Sequence, residues 1–156
     1  MGLVTYFKAT LPCQHHHHVG TAWIDNSLGN RGATYEVGDC PGDDITLADF
    51  EDTSFRVRAP RTGEPVHILL SWTCEMCGLA SFAEVVLADG CVRSIEAVEL
   101  NPDTLARLHY IASRIEDMLE DIIGEPLYDE RGLRPDWLRR LEDALAAGNR
   151  WPGAET

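Results

Sequence analysis

Val66-His67-Ile68-Leu69-Leu70-Ser71-Trp72-Thr73-Cys74-Glu75-Met76-Cys77-Gly78 is the stretch whose reading decides the fold. Its first half is almost continuously apolar, the pattern of a central strand covered on both faces. Its second half is a Cys-x-x-Cys closed by glycine, a tight turn that brings two sulfurs to one point. Gly78 can adopt the positive φ that turns the backbone so that its amides face the thiolates. Leu79-Ala80-Ser81-Phe82 then leads into another strand. A redox dithiol instead needs its first cysteine at a helix N-terminus, where the dipole lowers the thiol pKa. The strand context therefore favours a metal knuckle over a redox turn.

A tetrahedral zinc site needs two further N or S donors. They are available upstream in Cys13-Gln14-His15-His16-His17-His18. Leu3–Thr10 is rich in β-branched and aromatic residues and reads as a strand, ended by Leu11-Pro12. Thr21-Ala22-Trp23-Ile24 reads as the returning strand, which places the Cys/His tract at a hairpin tip. Cys13 and His16 repeat the x-x spacing, with an imidazole in place of a thiolate. His15, His17, His18 and Cys40 are alternatives to His16. The expected ligand set is Cys13, His16, Cys74 and Cys77 around one structural Zn2+.

These two turns resemble the zinc-ribbon class, whose members place Cys-x-x-Cys knuckles at the tips of β-hairpins. The resemblance covers Cys13–His16 and Cys74–Gly78 and implies a small sheet pinned by one structural zinc. The chain departs from that class in two ways. His16 stands where a cysteine is usual, and residues 17–73 separate the halves, which implies an inserted β-region.

Downstream, Asp89-Gly90 between two strand-like runs, Ser81–Ala88 and Cys91–Leu100, predicts a hairpin, because both central positions of a type I′ turn need positive φ. Asn26–Gly32 reads as a loop, Ala33–Val37 as a short strand, and Ser54–Ala59 as a half-exposed strand. Asn101-Pro102-Asp103 is a helix start, with an N-cap, a proline at the first helical position and an acid near the dipole's positive end. Leu105, Leu108, Ala112, Ile115, Met118, Leu119 and Ile122 follow at helical spacing and predict one long helix, stopped by Gly124 and Pro126. Pro135 opens a second helix with Leu138, Leu141, Ala144 and Leu145 inside, ended by Gly148, with Trp151 folding back on it. The expectation is a single α+β domain over 1–156. An antiparallel sheet or small barrel occupies 1–100, and two helices over 101–148 pack on it.

The 156 residues are 44% hydrophobic and 25% charged, as in a soluble globular protein. No apolar run reaches the length of a membrane span, and Met1–Thr10 lacks the pattern of a secretory signal, so the expected location is cytoplasmic. In a reducing compartment an odd cysteine count, 13, 40, 74, 77 and 91, argues for metal ligands or free thiols before disulfides. Cys91 reads as a small strand residue. The net charge of −13 repels phosphate backbones, which disfavours nucleic acid and suits a basic protein partner.

Residues 36–52 hold seven acids and no Lys or Arg: a solvated loop or a docking surface, without the regular alternation of a calcium-binding loop. His67 reads as a strand histidine and His109 as the edge of a helical stripe. Two functions follow as expectations. One is a zinc-stabilised protein-binding or adaptor module, immunity- or antitoxin-like in size and charge. The other is a zinc-dependent hydrolase or lyase with an open metal position, Glu75 or a tract histidine assisting. Four protein ligands would favour the first, three plus water the second.

Overall fold

The computed structural model describes residues 5–26 and 32–151. The start of the first strand reading, Leu3-Val4, and positions 27–31 of the Asn26–Gly32 loop lie outside them. The elements in chain order are β1 (Thr5–Pro12), β2 (Val19–Asn26), β3 (Thr34–Tyr35), α1 (Leu47–Thr53), β4 (Ser54–Arg56), β5 (Val66–Thr73), β6 (Ala80–Ala88) and β7 (Cys91–Val98). They continue with α2 (Pro102–Arg107), β8 (Tyr110–Ala112), α3 (Glu116–Ile123), β9 (Tyr128–Asp129), β10 (Gly132–Leu133) and α4 (Trp137–Ala146).

Two sheets carry the architecture: β2-β1-β3 and the five-stranded β4-β8-β5-β6-β7, with β9 and β10 forming a small separate ribbon. The alternation of β5 explains the layering. Ile68, Leu70 and Trp72 point to one face and pack with Phe7, Leu11, Ala22 and Ile24 of the small sheet. Leu69 points to the other face and packs with Phe82, Leu105, Leu119 and Leu141 of the helical side. Both Leu69 and Leu70 are inaccessible to solvent, as a centrally placed strand requires. A fully buried leucine or phenylalanine of this kind contributes about 1.5–3 kcal/mol. The fold is thus small sheet, large sheet, helices.

The Asp89-Gly90 turn closes the β6–β7 hairpin with φ of 52° and 77°, as its type demands. Asn101 caps α2, its side chain accepting from the Thr104 amide, with Pro102 at the first turn. Gly124 ends α3 at a φ of 86°.

Four expectations need correction. No closed barrel forms among the described residues, and the sheets are mixed, because β5 pairs parallel with β8 and β1 parallel with β3. The long helix over 102–123 is two short helices with a strand between them. Leu108 turns to an extended conformation (ψ 147°), and the His109 amide donates to the His67 carbonyl at 2.9 Å. Tyr110, Ile111 and Ala112 then fill the gap between β4 and β5, buried on both faces. The helical stripe was real in spacing, but an open edge of β5 offered these aromatic and β-branched residues a better partner than a helix did.

The acidic segment is not a simple loop. Its second half is α1, entered through a capping box between Thr46 and Asp49. Its first half is pinned to β7, with Gly38 donating to Val92, Val92 to Asp39, and Gly42 to Gly90, at 2.7–2.9 Å. That docking brings Cys40 onto Cys91, and the two form a disulfide. Neither is a metal ligand or a free thiol. No helix among the described residues is long and apolar enough to cross a membrane.

Candidate metal centre

The two turns are built on the same backbone pattern. In the first, the Cys13 amide donates to the His18 carbonyl at 2.9 Å and the His17 amide to the Cys13 carbonyl at 3.0 Å. In the second, the Cys74 amide donates to the Leu79 carbonyl at 2.9 Å and the Gly78 amide to the Cys74 carbonyl at 2.8 Å. The fifth residue of each turn is left-handed: His17 at φ 57° and Gly78 at φ 72°. Glycine takes that conformation freely; a histidine there is strained and is held by the turn around it.

β1–β2 and β5–β6 present these turns face to face. Cys13, His18, Cys74 and Cys77 converge, their donor atoms all within 4.8 Å of one another. Cys13 and Cys74 are buried, and Cys77 and His18 half-buried. The group can hold a metal ion. Gln14 strengthens the docking, its amide donating to Ser81 Oγ at 2.8 Å and its side-chain nitrogen to the Trp151 carbonyl. His15 Nε2 lies 2.7 Å from the Ala80 carbonyl, a second tie between the tract and β6.

The fourth donor atom in this group belongs to His18; His16, the expected ligand, is not part of it. His16 occupies the place in its turn that Cys77 occupies in the other, yet its ring is exposed, 5.5 Å from the ring of His18. Its contribution is its backbone amide, which donates to Cys13 Sγ at 3.4 Å. The longer imidazole reaches the cluster from the end of the turn, just before β2 begins. Of the alternatives to His16, Cys40 is tied up in its disulfide and His17 is exposed.

The electrostatics and the unpaired atoms fit a cation. Burial works to raise the Cys13 thiol, but the His16 and His18 amides, the Cys74 thiol and the His15 amide outweigh it and hold the pKa at about 6. Cys77 goes the other way: the Leu79 amide lowers its pKa, but burial together with the Cys74 and Cys13 sulfurs leaves it raised. Three sulfurs crowded together are eased by a bound cation. His18 Nδ1 is buried with no hydrogen-bond partner, an orphan that coordination would satisfy.

A second polar centre lies on the helical side of the large sheet, around His67 and His109. Glu84, 4% exposed, takes a hydrogen bond from His67 Nδ1 at 2.5 Å and from Arg107 Nε at 2.8 Å. Burial raises its pKa, but Arg107 and His67 more than offset this, and the carboxylate is held below its ordinary range. His109 is fully buried; its Nδ1 accepts from the His67 amide at 3.0 Å and its Nε2 faces Glu64 at 3.3 Å. Burial, then the Arg58 charge, lowers its pKa. One signal was available: Glu84 is a lone acid in an otherwise buried strand, and such an acid needs a partner. The partners come from β5 and α2, which no local pattern reveals.

No family model, no characterised protein and no solved structure matches this chain.

Proposed function

We propose that the chain is a zinc-stabilised binding module that presents an acidic surface to a basic protein. The observation that carries this reading is the closed donor set: three cysteines and one histidine from two matched turns. Cys3His is a usual composition of structural zinc sites, and softer thiolate donors select zinc over hard cations such as calcium or magnesium. Hydrolytic zinc keeps one position for water, and here four side chains already supply four donors. The zinc-ribbon resemblance extends in this reading to two hairpin-borne turns around one ion, with His18 in the fourth place.

Partner chemistry follows from charge. At −13 overall, the surface attracts cationic proteins, and the acidic segment is tied to β7 by its disulfide and continues into α1. An anionic face tied down in this way loses less entropy on docking than a mobile loop.

X-ray absorption at the zinc edge tests the metal half: three sulfurs and one nitrogen are expected, whereas a shell containing a water oxygen would move the reading to the hydrolase or lyase. For the partner half, a basic protein captured by the native chain should be released by moderate salt. It should be lost when Asp43 and Asp44 are changed to Asn; retention by that variant would count against the acidic face.

A further inference from the structure

Where the acidic segment crosses the end of the β6–β7 hairpin it borders an open pocket of about 300 Å3. Its lining includes the apolar Ile45, Phe50, Val66 and Leu87 and the acids Glu64 and Asp89, with no Lys or Arg. Phe50 and Leu87 belong to the core between the sheets, so these two are fixed parts of the fold.

The crossing is tight. Gly42 donates to the Gly90 carbonyl at 2.9 Å, and a Cβ on Gly90 would lie 3.2 Å from the Gly42 Cα. Gly90 also holds a φ of 77°. The Cys40–Cys91 disulfide locks the same crossing from two residues away.

The two carboxylates differ. Glu64 is partly engaged: it accepts from the Arg61 amide at 2.8 Å and from Arg58 at 3.3 Å, and it faces His109. Those contacts, the Arg61 amide first, hold its pKa down to about 2, so it is charged at every physiological pH. Asp89 is exposed and makes no hydrogen bond or ion pair to a described residue. It occupies a left-handed turn position (φ 52°), next to Gly90 at the crossing.

We infer that this pocket is a receptor for an arginine side chain of the basic protein partner, its stem against Ile45, Phe50, Val66 and Leu87 and its guanidinium on Asp89. A pocket that combines apolar side chains with carboxylates suits a planar, weakly hydrated cation on an apolar stem, and arginine combines the two better than lysine's compact, strongly hydrated ammonium. An uncharged apolar side chain would leave Asp89 partly desolvated without compensation. The inference rests on the reading of the chain as a binder of a basic protein and specifies where the contact is made.

The test uses the full metal-loaded chain and two blocked tripeptides, Gly-Arg-Gly and Gly-citrulline-Gly, which differ in charge but barely in shape. In two-dimensional amide NMR the arginine peptide should shift Gly42, Gly63, Leu87 and Gly90 saturably, and the citrulline peptide should bind at least tenfold more weakly. Asp89→Asn, which tolerates the left-handed turn, should weaken the arginine peptide by a similar factor. Ile45→Lys, placing a cation in the cavity from a half-exposed position, should abolish binding and decides the matter if the first variant fails to fold. Equal binding of the two peptides, shifts confined to another face, or full affinity in either folded variant overturns the site. A basic partner that still binds both variants with undiminished salt sensitivity overturns this pocket and leaves the broader reading standing. Loss of all salt-sensitive binding by the native chain removes that reading itself.

Discussion

The turns Cys13–His18 and Cys74–Leu79 share a hydrogen-bond pattern and a left-handed fifth residue, yet they supply their second donor from different places. The Cys74 turn brings its fourth residue, Cys77, into the cluster; the Cys13 turn brings its sixth, His18. The difference teaches that the backbone of a knuckle places the first cysteine and its amides, while side-chain length and direction together set which later residue reaches the centre. A short thiol must sit inside the turn. An imidazole can reach in from its end.

The largest effect expected from breaking this pair comes from removing one of the two buried sulfurs of the cluster. Cys74→Ser should lose the metal and unfold or loosen the β layers, since a structural zinc supplies on the order of 10 kcal/mol against a domain stability of ~5–15 kcal/mol. Metal content and thermal melting followed by circular dichroism measure it; a variant keeping both its ion and its melting temperature would overturn the structural role.

Next in size is the contrast between the two histidines. His18→Ala should weaken zinc binding tenfold or more, ~1.4 kcal/mol at least, whereas His16→Ala, which keeps the backbone amide facing Cys13 Sγ, should leave affinity nearly unchanged. Competition with a chromophoric chelator reads both, and the reverse order would return the ligand to His16.

The smallest effects lie at the fifth positions. Gly78→Ala puts a side chain at φ 72° and should cost about 1–2 kcal/mol. His17→Gly relieves the same conformation but adds chain entropy to the unfolded state, so its net change should stay below about 1 kcal/mol. Chemical denaturation of the metal-loaded variants compares them; equal losses at both positions would mean the turns are not equivalent.

Much of this was legible locally. The Asp89-Gly90 hairpin, the Asn101-Pro102 helix start, the β5 strand and the Cys74 knuckle each rest on residues within a few positions of one another, where turn and capping chemistry act. The errors share a cause too. His18, the Cys40–Cys91 disulfide, the strand Tyr110–Ala112 and the Glu84 partners all depend on a segment meeting another far away in the chain. At Leu108–Ala112 a helical spacing coexisted with strand-forming residues, and the unpaired edge of β5 decided between them.

By itself the sequence determined that cysteines would gather at turn tips flanked by strands, that the surface would be anionic, and where most elements begin or end. These follow from local stereochemistry and from counting charge. Only the tertiary structure decided which histidine completes the set, because four adjacent imidazoles differ solely in direction once β1 and β2 are docked on β5. It also decided that the acidic segment is a braced wall rather than a loose loop. That outcome requires the backbone of 38–42 to find β7, a contact whose enthalpy is gained only after the sheets have brought the two together.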